Sequence, residues 1–321
     1  MNVYRAACVA AVLFHANASV LAAEYPTRAV RIVVPYPAGG PVDITARTLS
    51  PSLTAALGQP LVIDNRGGAG GIVGSDHVAK SPPDGYTLLL CTTANAINAS
   101  LIAKLPYDMI RDFVPITLAA IITSVVIVHP SVPVKSVKEL IALARAKPGQ
   151  LSYASTGNGT PTHLAGELFK NMTGLDLVHI PYKGAAPAVV DLISGQVQLS
   201  FISAPGVVPH IKSGRLRALA VTNAKRSALL ADLPTLDEAG LPSYESEGWH
   251  GLFAPARTPP AVIDRLYREF ATALRAPEIS AQLLAGGAEP VAMPPEQFAV
   301  KLRTEIDKWA RVVKATKMKA D

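Results

Sequence analysis

The sequence predicts an α/β fold built from two domains of similar size. Segments rich in Val, Ile and Leu alternate with glycine loops and amphipathic runs, which is the order strand, loop, helix. These apolar segments lack polar alternation, and that is typical of parallel strands covered by helices on both faces. Two long extended stretches, at 112–130 and 246–256, flank the middle of the chain, and we expect them to cross between the domains.

The predicted strands fall into two groups on either side of residue 123. The first group is RIVVPY, LVIDN and YTLLLCT, and the second is LSYAS, LVHIPY, VQLSFIS and LRALAVT. A helical C-terminus starts near Pro259 or Pro260. We therefore divide the chain into a first domain at 24–123 and 249–321 and a second domain at 124–248.

Residues 1–23 have the composition of a secretory signal peptide. Arg5 is followed by an apolar run from Ala6 to Phe14, and small residues end the segment. The run is too short to span a bilayer, and as a frayed helix it would have nothing to pack against. Cys8 lies at the start of the run, whereas a lipid-modified cysteine would follow it. We therefore expect export to the periplasm without a lipid anchor.

Charge and cysteine content exclude several classes of function. The chain has 30 basic and 24 acidic residues, and removal of Arg5 lowers the formal charge from +6 to +5. The basic residues are dispersed and form no stripe with aromatics, which argues against nucleic acid and favours anionic ligands only weakly. Cys91, the one cysteine left after cleavage, ends the apolar run YTLLLC and is expected to be a buried thiol.

The first candidate loop is PYPAGGPVD, which contains Tyr36, Ala38, Gly39, Gly40 and Asp43. The two glycines permit close approach of the backbone to a ligand, and a helix starts directly after them. The spacing of apolar residues predicts that one face of this helix consists of Val42, Ala46, Leu49, Leu53 and Leu57. Asp43 either holds a ligand amine or water, or braces the loop. Tyr36 either lines the cleft or packs at the strand end.

Polar residues also follow the third strand. Thr92 and Asn95 offer a hydroxyl and an amide that either bind a carboxylate or cap the turn. The glycine run at 65–74 has Val73 where a dinucleotide fingerprint needs its third glycine, and we interpret that run as a turn.

The second candidate loop is STGNGTPTH at 155–163, between a predicted strand and a predicted helix. Backbone N–H groups at a helix start attract anions, but the loop lacks the Lys-Ser/Thr pair of a nucleotide-binding P-loop. Its hydroxyls and glycine amides are candidates for a neutral donor nest, and Thr160 also suits an N-cap. The candidate residues are Ser155, Thr156, Gly157, Gly159 and Thr160.

Three further residues complete the candidate site. His163 falls in the first turn of the helix, where the dipole disfavours its cation, and a structural role is the simpler interpretation. Lys183 lies between a strand and a helix and either faces the cleft or is solvated. Ala204, between Ser203 and Pro205, follows a strand and is expected in the cleft wall.

The motifs point to binding and not to catalysis. The sequence has no G-x-S-x-G, no H-E-x-x-H and no Cys/His cluster, so we expect no metal and no cofactor. Two loops that attract anions, in two hinged domains, predict a ligand held between the domains.

The chain resembles the substrate-binding receptors of tripartite tricarboxylate transporters, also called Bug-type receptors. The resemblance covers nearly the whole mature chain and is carried by stretches such as PYPAGGPVDITAR, TGNGTPTHLAGELF, LVHIPYKGAAPAVVDLISGQVQLSF and GLFAPARTP. It implies a type II periplasmic binding protein fold that closes on a small carboxylate. The family's two pincer loops correspond to 36–43 and 155–160. Membrane permease subunits are the implied partners, and we expect a monomer.

Two other functions remain open from the sequence. One is a secreted α/β enzyme that acts on a small anionic ester, and the other is a receptor that passes its closed form to a signalling protein. The ligand is equally open, since dicarboxylates, tricarboxylates, acidic amino acids and aromatic carboxylates all suit neutral loops.

Overall fold

A computed structural model describes residues 25–316 and 318. The predicted signal peptide, residues 1–23, lies outside this part of the chain. The strands are β1 (Val30–Val34), β2 (Leu61–Asn65), β3 (Thr87–Thr92), β4 (Phe113–Ile122), β5 (Ser124–Val128), β6 (Ser152–Ser155), β7 (Val178–Pro181), β8 (Leu199–Ser203), β9 (Arg217–Val221), β10 (Gly248–Pro255) and β11 (Ala288–Met293).

The helices lie between these strands and after the last of them. They are α1 (Pro41–Leu57), α2 (Ile72–Ala79), α3 (Thr93–Leu101), α4 (Val137–Ala146), α5 (Pro161–Thr173), α6 (Ala185–Ser194), α7 (Val208–Lys212), α8 (Pro260–Arg275), α9 (Pro277–Ala285) and α10 (Pro295–Thr316). Among the described helices, none has the length and apolar character needed to cross a bilayer.

The strands form two sheets. The first has six strands in the order β11-β4-β10-β3-β1-β2, and the second has five in the order β7-β6-β8-β5-β9. We call each sheet with its helices a lobe. The sequence predicts parallel strands, and β1, β2 and β3 are indeed parallel, as are β6, β7 and β8. Both sheets are nevertheless mixed, because β4, β5 and β10 join them antiparallel to their neighbours.

Helix α1 is amphipathic in the way the sequence predicts. Its N1 residue is Pro41, which suits a first helical position because the ring presets φ and no N–H is needed there. The predicted apolar face is buried in the core of the first lobe, and consists of Val42, Ala46, Leu49, Leu53 and Leu57. Cys91 is fully buried in the same lobe as a free thiol, and burial raises its pKa.

The stretch 112–130 passes from one sheet to the other at Thr123. Strand β4 ends at Ile122 in the first sheet and β5 begins at Ser124 in the second. The hydroxyl of Thr123 lies 2.6 Å from Glu289 Oε1 and 2.8 Å from Ser227 Oγ, within hydrogen-bond distance of both. The side chain of Thr123 thus makes hydrogen-bond contacts with both lobes, through Glu289 in the first and Ser227 in the second.

The chain returns to the first sheet through residues 245–247. Ser246 N donates to Thr222 O in the second lobe at 2.9 Å, and β10 then begins at Gly248. Lys301 of α10 forms an ion pair with buried Glu247 at 2.7 Å. Helix α10 therefore lies against the second connection.

Helix α10 also packs into the cores of both lobes. Phe298 and Leu302 belong to the cluster around Phe253 in the first lobe. Farther along the helix, Trp309 and Val312 belong to the cluster around Tyr153, Phe201 and Leu199 in the second lobe. The last helix thus contacts both lobes.

Candidate ligand-binding site

A cleft of about 630 Å³ lies between the lobes, at the carboxyl ends of several strands. This is the usual place for ligands in open α/β sheets. The first lobe contributes the loop before α1, and the second contributes the start of α5 and the end of β8. Residues of both candidate loops therefore line one cavity. The cleft is lined in part by Tyr36, Gly40, Thr92, Thr156, Thr162 and Ser203.

Four helices begin at the cleft. The first residues of α1, α3, α5 and α6 are Pro41, Thr93, Pro161 and Ala185, and all four line the cavity. Each helix start carries a partial positive charge from its unpaired N–H groups and aligned peptide dipoles. Among residues 25–316 and 318, no Asp, Glu, Lys or Arg lines the cleft. The positive potential there comes from the backbone and not from charged side chains.

Asp43 holds the first loop from beneath. Its carboxylate is 1% exposed, and Oδ2 accepts from Gly39 N and from Arg47 Nε, each at 2.8 Å. Burial raises the pKa of Asp43, but the hydrogen bonds from Arg47 and Gly39 outweigh it and hold the pKa below its usual range. Ala38, Gly39 and Gly40 line the cleft, whereas Asp43 does not. This geometry favours the bracing interpretation of Asp43.

A hydroxyl and amide network fixes Tyr36 at the base of the cleft. The phenol lies 2.9 Å from Thr92 Oγ1 and donates to Asn95 Oδ1 at 3.0 Å. Asn95 is fully buried and donates to Ser75 Oγ at 2.7 Å. Tyr36 and Thr92 line the cavity, while Asn95 supports them from behind.

The second loop is closed by its own hydrogen bonds. Thr156 lines the cleft, and its N and Oγ1 lie 2.8 and 2.9 Å from Thr162 Oγ1. Gly157 N donates to Ser155 Oγ at 3.2 Å, and Thr160 Oγ1 donates to Gly157 O at 2.7 Å. Some N–H and hydroxyl groups of the predicted donor nest thus donate to acceptors within the loop itself.

Two stacked histidines lie beneath the second loop. His163 Nδ1 accepts from Gly159 N at 3.1 Å, and His179 Nε2 lies 2.7 Å from Ser155 Oγ. Burial, and after it the nearby His163, lower the pKa of His179 to about 4. The sequence suggests that the amides of Gly157 and Gly159 face an anion, but in the structure both have acceptors inside the loop. A direct role for these residues in ligand binding stays a prediction.

The other two predicted residues lie away from the cavity. Lys183 is exposed in the turn before α6 and does not line the cleft. Ala204 is fully buried behind Ser203, which does line it. Their roles in binding likewise stay predictions.

His250 lies in the cleft wall but was not a candidate from the sequence. It is 2% exposed, and its Nδ1 lies 2.9 Å from the hydroxyl of Thr45. Burial lowers its pKa to about 4, so the ring is neutral at physiological pH. The feature of the sequence that could have indicated His250 is a lone polar side chain in an apolar extended stretch. Its partner, however, is 205 positions away in the chain.

The described residues include no group of three or more His, Cys, Asp or Glu placed to hold a metal ion. The cleft instead offers hydroxyls, one neutral imidazole and main-chain groups, which are suited to fixing the orientation of a small ligand.

Two lobes joined by two connections, with one cleft between them, define a two-lobed solute-binding protein. Residues 45–318 match the family model described as tripartite tricarboxylate transporter family receptor. The chain belongs to this family. The predicted type II periplasmic binding protein fold is thereby confirmed.

Similar proteins agree with this assignment. The chain is 40% identical over 301 residues to the protein BugT of Bordetella pertussis, covering 93% of this chain and 92% of that protein. A solved structure of MatC from Rhodopseudomonas palustris with bound malate is 30% identical, with a TM-score of 0.73 over 90% of this chain and all of that one. An R. palustris protein with adipate is 38% identical, with a TM-score of 0.77 over 92% and 99%. The protein is therefore a solute-binding receptor and not an enzyme.

Proposed function

We propose that the protein is a periplasmic receptor that closes on a small organic carboxylate and delivers it to the permease subunits of a tripartite transporter. The observation that carries this proposal is the convergence of four helix starts on a cleft without charged side chains. The family and the predicted signal peptide support the location and the partner.

The cleft suits a carboxylate for two physical reasons. Each helix start favours an anion by about 0.3–1 kcal/mol, and more when the site is partly buried. Hydroxyls such as those of Thr92, Thr93 and Thr162 supply donors at the same surface. The structures of relatives with malate and with adipate hold carboxylates too, which supports the same ligand class for this chain.

We further propose that closure moves the two lobes as the domains 24–123 with 249–321 and 124–248. Thr123 and the 245–247 connection are the two places where the chain passes between the sheets, so rotation would be confined to them. A ligand between the lobes would contact both and stabilise the closed arrangement.

Binding is tested with the purified mature protein. Calorimetry with adipate, malate and hexanoate should show saturable binding of at least one of them without chemical change. At one hundred times its dissociation constant, that ligand should stabilise the fold by about 2.7 kcal/mol. Conversion of the ligand to a product, or no binding of any carboxylate, would overturn the proposal.

Delivery is tested in cells. Deletion of the receptor gene should abolish uptake of the labelled ligand, and an intact gene should restore it only where the permease subunits are present. Normal uptake in the absence of either component would contradict delivery to a tripartite transporter.

A further inference from the structure

The cleft continues into a second, smaller cavity of about 250 Å³. We call this cavity the chamber. The cleft and the chamber share several wall residues and are therefore adjacent. The shared residues are Pro41, Ile122, Ala185, Ile202, Ser203 and His250.

The walls of the chamber are mostly apolar and come from both lobes. Ile44 of α1 and Leu283 of α9 belong to the first lobe, and Val189 of α6 belongs to the second. A side chain at Gly287 would overlap the ring of Pro205, so the two lobes already touch beside the chamber. Ile44 is 49% exposed, so its side chain is accessible to a ligand in the chamber. The chamber is therefore suited to an apolar group.

The two ends of the combined cavity differ in electrostatic potential. The starts of α3 and α5 line only the cleft and those of α1 and α6 line both cavities, whereas α9 ends at the chamber, where Gln282, Leu283 and Gly286 line the wall. The end of a helix carries partial negative charge, which repels an anion. No Lys or Arg is among the described residues that line the chamber, so a second carboxylate there would lose water without gaining a cation.

An ammonium group in the chamber would face the partial negative charge at the end of α9, but it would find no carboxylate there. Among the described residues, no Asp or Glu lines either cavity. Asp43 of α1 lies outside both walls; its Oδ2 accepts from Gly39 and Arg47, and its Oδ1 has no hydrogen-bond partner. His250 is buried and neutral and supplies no charge of either sign. Because a charge buried without a counter-ion loses its water uncompensated, the walls favour an uncharged far end of the ligand.

We propose that the ligand is a monocarboxylate with an uncharged apolar body, aliphatic or aryl, that is small enough for a chamber of about 250 Å³. Its carboxylate lies at the helix starts of the cleft, and its body lies in the chamber between Ile44, Val189 and Leu283. This inference rests on the proposed function and narrows its ligand class from carboxylates in general.

The first test is a matched pair of ligands measured by calorimetry on the mature protein. Hexanoate and adipate have the same six-carbon chain and differ by one terminal carboxylate. We expect hexanoate to bind at least tenfold more tightly than adipate. From propionate to hexanoate, affinity should rise about fourfold for each methylene that enters the chamber.

The second test fills the chamber. Val189→Trp places a bulky side chain in it, and Val190→Trp is the control because Val190 is 63% exposed on the same helix and lines neither cavity. We expect Val189→Trp to weaken hexanoate at least tenfold and to leave propionate within twofold. Ile44→Trp, on the opposite and exposed wall, is the second variant in case Val189→Trp does not fold.

The outcomes separate the two proposals. If adipate or malate binds more tightly than hexanoate, and the tryptophan variants do not discriminate by chain length, the inference is wrong while the receptor still binds carboxylates. If no carboxylate binds the wild-type protein, the proposed function fails and the inference falls with it.

Discussion

The imidazole rings of His163 and His179 stack with their centroids 3.7 Å apart and their planes 9° from parallel. They hold the two ends of the second loop, since His179 bonds Ser155 and His163 accepts from Gly159 N. Tyr153 stacks on His179, and its hydroxyl donates to Glu167, which is also paired with Lys170. Two imidazolium ions would repel at this distance, so the stacked geometry disfavours a state in which both rings carry a charge.

This stacking predicts how binding depends on pH. The pKa of His179 is about 4 in the folded protein, and burial is the main cause. Its neutral form therefore persists well below pH 6. We expect the affinity for an ionised ligand to change less than twofold between pH 8 and 6, and to fall as the pH approaches 4.

Calorimetry with a sulfonate analogue, which stays ionised at pH 4, separates the histidine effect from protonation of the ligand. His179→Gln keeps a polar group near Ser155 and should reduce the acid-induced loss. A drop in affinity already between pH 8 and 6 would contradict the prediction that His179 is neutral in this range.

His250 predicts a loss of stability in acid. Its pKa is about 4 in the folded state, against about 6.5 unfolded, so between these values the unfolded chain binds more protons. The contribution is fully present above pH 6.5 and is lost as the pH falls towards 4, by about 3 kcal/mol in total.

Urea unfolding of the wild type and His250→Gln at pH 7 and 4.5 measures this effect. The variant should lose less stability between the two pH values, because the other acid-sensitive groups are common to both proteins. Equal losses would show that His250 does not titrate in this range.

Glycine and lysine variants test how the anion is held. Gly40 lies in the extended region at φ −75°, and a Cβ there would lie 3.3 Å from Pro37 O at the cleft surface. Gly40→Val should lower affinity at least tenfold by narrowing the cleft. Lys183→Ala should change it less than twofold, because Lys183 is exposed away from the cleft.

Gly159→Val should also lose affinity, but for a different reason. Gly159 has a φ of +69°, which disfavours a branched residue, and a Cβ would press against Leu101. Thermal unfolding should therefore fall with affinity in this variant and stay near wild type in Gly40→Val. Near-native affinity in both glycine variants, or a collapse only in Lys183→Ala, would place the anion elsewhere.

Variants of Asp43 distinguish between bracing of the loop and direct contact with the ligand. Asp43→Ala removes the charged acceptor of the Gly39 N–H, and since hydrogen bonds to charged groups are worth about 1.5–3 kcal/mol, stability should fall by this order together with affinity. Asp43→Asn keeps an oxygen for Gly39 and should restore most of both. If Asp43→Asn were stable but did not bind, Asp43 would act on the ligand itself. Chemical unfolding and calorimetry on the two variants distinguish these results.

Local patterns were sufficient to predict much of the fold. The apolar face from Val42 to Leu57 is buried, and the extended stretch 112–130 does cross between the sheets at Thr123. A helix beginning at Pro161 after a glycine loop is also observed. These features depend on residue spacing and on backbone preferences, both of which are written locally in the sequence.

The finer details of the site depend on distant partners. The acceptor for Gly159 N is four residues away, but His179 reaches Ser155 from another strand. His250 and Thr45 are 205 positions apart in the chain and come together only in the folded tertiary structure. Strand β11 has no distinct pattern in the sequence, and it is a sheet edge that contributes Glu289 beside Thr123. Such contacts are set by the tertiary structure and not by local propensity.

Helix α10 has a mechanical consequence for any closing motion. One half of it packs into the first lobe through Phe298, and the other half packs into the second through Trp309. Between them, Lys301 forms an ion pair with Glu247 in the 245–247 connection. A packed helix resists stretching, so it acts as a strut along one side of the molecule. The lobes would then rotate about an axis near α10. The distance between them would change most on the side away from α10 and least beside it.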